Sequence, residues 1–379
     1  MTKKASTKNP GTTSDFCFLT GRTDARLSEV ERLTMLGGSG LSRLVARLGR
    51  TLEIVNLDAF AAGLKPEQLA QDRASLHALR SEGVMARLLS APEVNPAPTI
   101  VPVHGFPHGS VLDLEFPSQF PGTQLRAIPQ YEKLIENSTS YVRLWEHNDQ
   151  EKDRTTIVAV HGWTMGDQRI NSLAFMPGLL YSLGANVALV ELPFHGRRRP
   201  QAAAEEAPLF PSIDPVKTCV AMAQSLYDLR SLAAFLKSRG HGRIACVGMS
   251  LGAYVAALWS SLDPLHRIAL LVPLVSMGDM AFELVKRHYG EGSPEAGALN
   301  LQILRDLFAD HYPLDRTPRT QQESVMVIRG KGDQLVSRSQ IAILRKAWPR
   351  AKYLWAEGGH GAAVERGDTF TRMVEFLLG

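Results

Sequence analysis

Gly248-Met249-Ser250-Leu251-Gly252 directly follows the apolar run Ile244-Ala245-Cys246-Val247. A G-x-S-x-G string at the end of a strand strains its serine into an exposed turn, and this marks Ser250 as a nucleophile. Neighbouring chain comes close to such a turn, so the positions two before and two after the serine must lack a Cβ. Gly248 and Gly252 meet that need. The stretch Ala253 to Trp259 has small and apolar residues at helical spacing, so the turn runs into a helix. The first N–H groups of that helix have no internal acceptor and sit at the positive end of its dipole, which places the Leu251 N–H to donate to a developing oxyanion. Met249, beside the nucleophile, is read as a substrate contact.

A serine hydroxyl is a weak nucleophile and needs a base that a carboxylate orients. Val325-Met326-Val327-Ile328 reads as a short buried strand, and Arg329-Gly330-Lys331-Gly332-Asp333 is the turn at its end. Asp333 is therefore the expected acid. Tyr353-Leu354-Trp355 is a further strand, followed by Ala356-Glu357-Gly358-Gly359-His360-Gly361, a glycine-bracketed loop that lets the His360 imidazole swing toward Ser250. Two other acids compete for the role. Asp279 follows the apolar run Ile268 to Val275, and Glu357 is close to His360 in sequence. A plainer reading of Asp333 makes it a turn aspartate that caps a helix from Ser337 to Trp348.

Upstream, the β-branched strand Thr156-Ile157-Val158-Ala159-Val160 runs into His161-Gly162-Trp163-Thr164. A loop in this position supplies the second oxyanion donor in acyl-transfer sites, and the Trp163 N–H is the candidate. The Trp163 indole is either a wall of the substrate pocket or packing beside the loop. His161 is entered as a candidate substrate contact, although hydrogen bonding to the loop backbone is the favoured reading, since a loop so close to the reaction centre has many polar groups to satisfy. The densest basic run, Arg197-Arg198-Arg199, suits a substrate carboxylate or phosphate, which guanidinium groups grip bidentately, with Arg197 as the contact. Otherwise it is a solvated loop.

From about Val111 to the C-terminus the chain resembles the α/β-hydrolase superfamily. The resemblance rests on His161-Gly162-Trp163, Gly248 to Gly252, Gly330 to Val336 and Gly358 to Gly361. The chain order serine, acid, histidine is the one that superfamily uses. Glu191-Leu192-Pro193-Phe194-His195-Gly196 is similar to a loop in which many members carry Asp-x-Pro-x-x-Gly, with Glu191 here in place of the aspartate. The resemblance implies an α/β-hydrolase fold, a mostly parallel sheet with helices on both faces. A serine at the turn points to the esterase- and lipase-like branch. The expected reaction is hydrolysis of a carboxylic ester or related acyl bond through an acyl-serine, with no metal and no organic cofactor. An acyltransferase using the same triad, and a non-catalytic binding protein on the same fold, are the alternatives.

Composition agrees with an enzyme acting on a small acyl substrate. A chain of 379 residues with 44% hydrophobic and 21% charged residues buries a full core. A net charge of +4 from interspersed bases and acids gives no case for a nucleic-acid partner. Cys17, Cys219 and Cys246 cannot make a disulfide framework, which favours a reducing compartment and a cytoplasmic location. No run reaches the roughly 18 to 20 apolar residues of a membrane span, and no secretory signal is evident at the start.

Residues 1–24 read as a disordered tail and 25–95 as a helical N-terminal extension, with apolar helical spacing in Leu27–Leu36, Leu41–Leu48 and Pro66–Leu89, the last interrupted at Gly83. The proline-rich stretch Ala91 to Pro98 connects it to a catalytic domain over 96–379. Ser110 to Phe116 alternates as an edge strand does and pairs antiparallel with Tyr141 to Trp145. Strand and helix then alternate: strand to Val160, helix Leu173 to Leu183, strand Val187 to Leu192, helix Val216 to Lys237, strand Ile244 to Val247. The long segment 276–324 is expected to form a small helical cap over the site, with helices at Ala281–Val285 and Leu301–Phe308 on either side of the glycine-rich Gly290 to Gly297.

Overall fold

Alternating side chains along the central strands face two separate cores. In β4 (Thr155–Val160), Val158 and Val160 join one apolar cluster while Ile157 and Ala159 join the other. The same division holds in β6 (Arg243–Met249), with Ile244 and Cys246 on one side and Ala245, Val247 and Met249 on the other. A strand buried on both faces reads as a continuous apolar run, which is how both appear in the sequence.

The computed structural model describes residues 57–93, 96–124, 134–149, 151, 153–201, 209–333, 335–357, 359–360 and 368–379. The other strands are β1 (Thr99–Phe106), β2 (Gly109–Pro117), β3 (Thr139–His147), β5 (Asn186–Val190), β7 (Ile268–Leu271), β8 (Val325–Gly330) and β9 (Lys352–Ala356). They form one sheet in the order β1-β2-β3-β5-β4-β6-β7-β8-β9. The β1–β2, β2–β3 and β3–β5 pairs are antiparallel, and the rest are parallel. Chain order reverses direction across the sheet at β4, between β5 and β6. The crevice beyond the carboxyl ends of strands at such a point is where open α/β sheets bind ligands.

The helices are α1 (Leu57–Gly63), α2 (Pro66–Ser81), α3 (Val84–Leu88), α4 (Gln168–Phe175), α5 (Pro177–Ser182), α6 (Pro215–Ser238), α7 (Leu251–Leu262), α8 (Met277–Tyr289), α9 (Pro294–Ala298), α10 (Leu301–Leu307), α11 (Arg338–Ala347) and α12 (Asp368–Leu378). Helices α4, α5 and α12 pack on one face of the sheet and α6, α7 and α11 on the other, where α8, α10 and α1 to α3 join the same apolar cluster. Local signals start several of them. Asp214 accepts from the Val216 and Lys217 N–H groups ahead of Pro215 at the first turn of α6, and Ser276 accepts from Asp279 N–H ahead of α8. Helix α2 is tied to the segment between β7 and β8: Arg73 pairs with Asp306 at 2.6 Å, and Arg80 pairs with Asp310 and donates to the Asp306 carbonyl.

Four expectations change. The edge of the sheet is β1, not the strand at 110–116; the Pro102 kink and the register shift between Pro102 and His104 mask its alternation. The helix expected over Leu173–Leu183 is two, because Pro177 disfavours helical geometry at Met176, which turns left-handed with φ 48°. The apolar run Ile268 to Val275 leaves the sheet after Leu271, where Val272 has φ 43°. The glycine-rich stretch before α10 contains α9. Residues 1–56, with the helices expected there and Cys17, lie outside the described residues, of which no helix is long and apolar enough to cross a membrane.

Burial lowers both His195 and His311 from 6.5 to about 4. Both ring nitrogens of His311 lack a hydrogen-bond partner. Between pH 6.5 and 4 the unfolded chain takes up protons that the folded chain refuses, so their stabilising share is complete above pH 6.5 and is lost as pH falls toward 4. Denaturant titrations should give a lower midpoint at pH 5 than at pH 7, and His311→Leu should narrow that difference. An undiminished difference in the variant would assign the acid sensitivity to other groups.

Candidate active site

Ser250 occupies φ 52°, ψ −110° between β6 and α7, a conformation that side chains rarely adopt. The backbone around it explains how this is held. A Cβ on Gly248 would lie 2.3 Å from the Gly252 carbonyl oxygen, and one on Gly252 would lie 2.0 Å from the Val160 carbonyl oxygen. Helix α7 therefore starts in direct contact with the end of β4. The Ser250 N–H donates to the Leu271 carbonyl at 2.9 Å, which ties the turn to β7 as well.

The structure brings Ser250, His360 and Asp333 into one line. His360 Nε2 lies 2.9 Å from Ser250 Oγ, and His360 Nδ1 lies 3.0 Å from Asp333 Oδ2. A carboxylate only accepts, so Nδ1 carries the proton and Nε2 is left to accept from the serine hydroxyl. The other Asp333 oxygen accepts from the Leu335 and Val336 N–H groups, each at 3.0 Å. Asp333 thus closes its own turn with one oxygen and orients the histidine with the other. The competing acids are engaged elsewhere: Asp279 pairs with Arg305 at 2.7 Å, and the exposed Glu357 pairs with Lys331.

The loop after β4 lies against the serine. A Cβ on Gly162 would sit 3.5 Å from Ser250 Cβ, so Trp163 follows the point of closest approach. No described residue accepts a hydrogen bond from the Trp163 or Leu251 N–H. Left-handed residues follow four strands in turn along this edge: Thr164 after β4, Phe194 after β5, Ser250 after β6 and Val272 after β7, with φ of 63°, 61°, 52° and 43°. Strain of this kind persists only where surrounding structure enforces it, and it gathers at functional edges.

Three expected substrate contacts have other partners. His161 is fully buried; its Nδ1–H donates to the Gly162 carbonyl at 2.8 Å and its Nε2 accepts from Leu192 N–H at 3.0 Å. Both nitrogens are spent on backbone, and burial keeps the ring far below the usual histidine range. Arg197 pairs with Glu191 at 2.9 Å and stacks over Tyr141 at 4.0 Å, while the buried Arg198 pairs with Asp228 at 2.8 Å. These two arginines brace a loop, and one Arg197 nitrogen, Nη2, is buried with no hydrogen-bond partner among the described residues. Met249 packs into the core on the side of the sheet opposite α7.

Glu191 turns out to organise the loop after β5. It accepts from Gln168 Nε2 at 3.0 Å and from the Arg197 N–H at 2.8 Å, although burial pushes its carboxyl up. Arg329, absent from the sequence reading as a site residue, lies buried under the acid turn. It donates to the Val336 carbonyl at 2.6 Å and the Ser337 carbonyl at 3.1 Å. Its signal was available: an arginine ending a buried strand beside a glycine turn needs local carbonyls to satisfy it. Gln340 of α11 accepts from the Val275 and Ser276 N–H groups at 3.0 and 2.8 Å, a link across more than sixty positions that no local pattern announces.

Comparisons with known proteins give the geometry a context. The family model described as alpha/beta hydrolase domain containing 18 matches residues 134–316, a span that includes Ser250 and ends before Asp333 and His360. No curated protein matches the chain. An acetyl xylan esterase from Paenibacillus sp. R4 is similar in structure, with a TM-score of 0.50 at 14% identity over 77% of this chain and 91% of that one. An esterase from Pyrococcus furiosus has a TM-score of 0.42 at 17% identity, covering 63% of this chain and 87% of that one. A predicted CIB-like hydrolase from Thermoplasma acidophilum has a TM-score of 0.38 at 16% identity, covering 63% of this chain and 93% of that one.

The contact between α7 and β4 can be tested directly. Gly252→Ala must push the Val160 carbonyl aside, and the expected cost is several kcal/mol of stability, since overpacking against backbone has no flexible atom to absorb it. Ala253→Gly, one position on, should cost only about 1 kcal/mol. Similar unfolding midpoints for the two variants would show that the helix start is not so tightly held.

Proposed function

We propose that this chain, of which residues 134–316 match an alpha/beta hydrolase domain model and whose fold is that of an α/β hydrolase, is a serine hydrolase that cleaves carboxylic esters or related acyl bonds through an acyl-serine intermediate. The observation that carries this reading is the hydrogen-bonded line from Ser250 Oγ through His360 to Asp333, with links of 2.9 and 3.0 Å. As Oγ attacks the acyl carbonyl, His360 Nε2 takes its proton, and Asp333 holds the ring and stabilises the imidazolium. The carbonyl oxygen becomes an oxyanion that accepts from the Leu251 and Trp163 N–H groups. His360 returns the proton to the leaving alcohol, and the acyl group stays on Ser250. Water then attacks, giving its proton to His360, and the acid departs as Oγ regains a proton.

The segment 276–324 and the N-terminal helices form the cap of this site in our reading. Three features support it. Helix α8 begins directly after the β7 edge loop, α1 packs on α8, and Phe60 of α1 meets Trp163.

A fluorophosphonate probe should label the protein at Ser250, and Ser250→Ala should abolish both labelling and hydrolysis of p-nitrophenyl esters. Asp333→Asn should lower kcat by about 10⁴ through the wrong histidine tautomer, while Asp279→Asn leaves kcat within about threefold. Labelling of Ser250→Ala at the wild-type rate would overturn the assignment, and equal losses in the two aspartate variants would remove Asp333 from it.

A further inference from the structure

We propose that Phe60 is a positioning residue for the oxyanion loop: its ring clamps Trp163, so that the Trp163 N–H keeps its place beside Ser250. The proposal rests on the serine-hydrolase reading above and makes helix α1 a working part of the reaction centre.

The loop from Gly162 to Gly166 is tied at its two ends, by His161 Nδ1–H on the Gly162 carbonyl at 2.8 Å and by the Gly166 N–H on Asn171 Oδ1 at 3.2 Å, but its middle, with Trp163 and Thr164, has only weak bonds. Met165 N–H donates to the Gly162 carbonyl at 3.3 Å, and Gly162 N–H donates to the Met165 sulfur at 3.3 Å. The first is long and the second uses a weak acceptor. Thr164 between them is exposed and left-handed at φ 63°, and Gly166 has φ 114°. A strained turn with weak internal bonds needs an outside restraint to stay where a donor must be placed.

The Phe60 ring supplies one. It meets the Trp163 indole edge to face, with centroids 5.7 Å apart and planes at 74°, the geometry aromatic pairs prefer. Phe60 is itself 4% exposed and belongs to the cluster that contains Leu251, Tyr254 and Met277. The clamp is therefore anchored in the same core that seats the nucleophile turn. Helix α1 has independent supports: Ala61, and Leu64 just after the helix, are buried in that core, and α2, one short turn later, is ion-paired to Asp306 and Asp310. The restraint runs from the N-terminal helices through one aromatic contact to the loop beside Ser250.

A displaced oxyanion donor lowers the rate of the chemical step without weakening ground-state binding. Phe60→Ala should therefore lower kcat by about 10- to 100-fold, the loss expected from a misplacement of around 1 Å, with KM changed less than about twofold. The loss should be the same for p-nitrophenyl esters of short and long acyl chains. Phe60→Leu keeps most of the apolar volume, guards against loss of fold, and should recover at least half of the lost kcat on a logarithmic scale. Trp163→Phe keeps the backbone N–H but alters the ring contact, so its effect should be non-additive with that of Phe60→Leu. Denaturant midpoints establish that each variant is folded at the assay temperature.

Wild-type kcat in Phe60→Leu and Phe60→Ala would overturn the clamp. So would a KM effect that grows with acyl length, which would make Phe60 and Trp163 a substrate wall, or strictly additive effects of the two substitutions. Fluorophosphonate labelling separates this from the parent reading. If wild type labels and the Phe60 variants label at the same rate, only the clamp fails; if wild type does not label, the serine-hydrolase reading fails and the clamp with it.

Discussion

The start of α7 lies on the carbonyl oxygens of Val160 and His161 at a distance that leaves no space for a side chain at Gly252, and the rest of the site follows from that contact. Because the helix is pressed against the end of β4, the turn before it has to be short, and Ser250 is forced into its left-handed conformation. The contact also brings the loop after β4 within reach of the serine, so nucleophile and oxyanion loop are set by one packing event. The line through His360 and Asp333 is then a matter of two further strand ends, with β8 parallel to β7 and β9 parallel to β8.

Polar groups near this edge mostly serve the loops. His161 spends both nitrogens on backbone, Glu191 gathers Gln168 and the Arg197 N–H, and Arg329 holds the carbonyls of the acid turn. Each lies where a strand ends and the chain can no longer satisfy its backbone through the sheet. A rigid platform results, in which side chains that resemble ligand contacts by type are consumed in holding the shape. Preorganised dipoles need such support, since a donor that has to reorganise during the reaction loses much of its value.

The parts of this site legible in the sequence are those whose chemistry is local. Two glycines around a serine after an apolar run report a close backbone approach, and Gly330 to Asp333 and Gly359-His360 report turns at strand ends. The sheet and its flanking helices were legible for the same reason, through apolar runs and helical spacing. What escaped depends on partners distant in sequence. The enclosure of Arg197 by Tyr141 and Glu191 has no local pattern to announce it, and the backbone hydrogen bonding expected of His161 is what the structure shows, with one partner, Leu192, on another strand's loop. Strand β1 hid behind Pro102, and the break at Met176 was written in Pro177 but outweighed by the apolar pattern around it. Phe60 had no signal at all, since a lone aromatic in a short helix carries no mark of the loop it touches.

The docking of α2 against α10 spans 233 positions between Arg73 and Asp306. On a ribosome adding about 5–20 residues per second, the first helices wait roughly 10 to 50 s for the surface that will bury Leu69, Leu76 and Leu79. During that interval they are an amphipathic segment with an exposed apolar stripe, tethered to a half-made sheet. Such a chain closes its reaction centre only after His360 has been made, and until then these helices stay open to chaperones and to self-association.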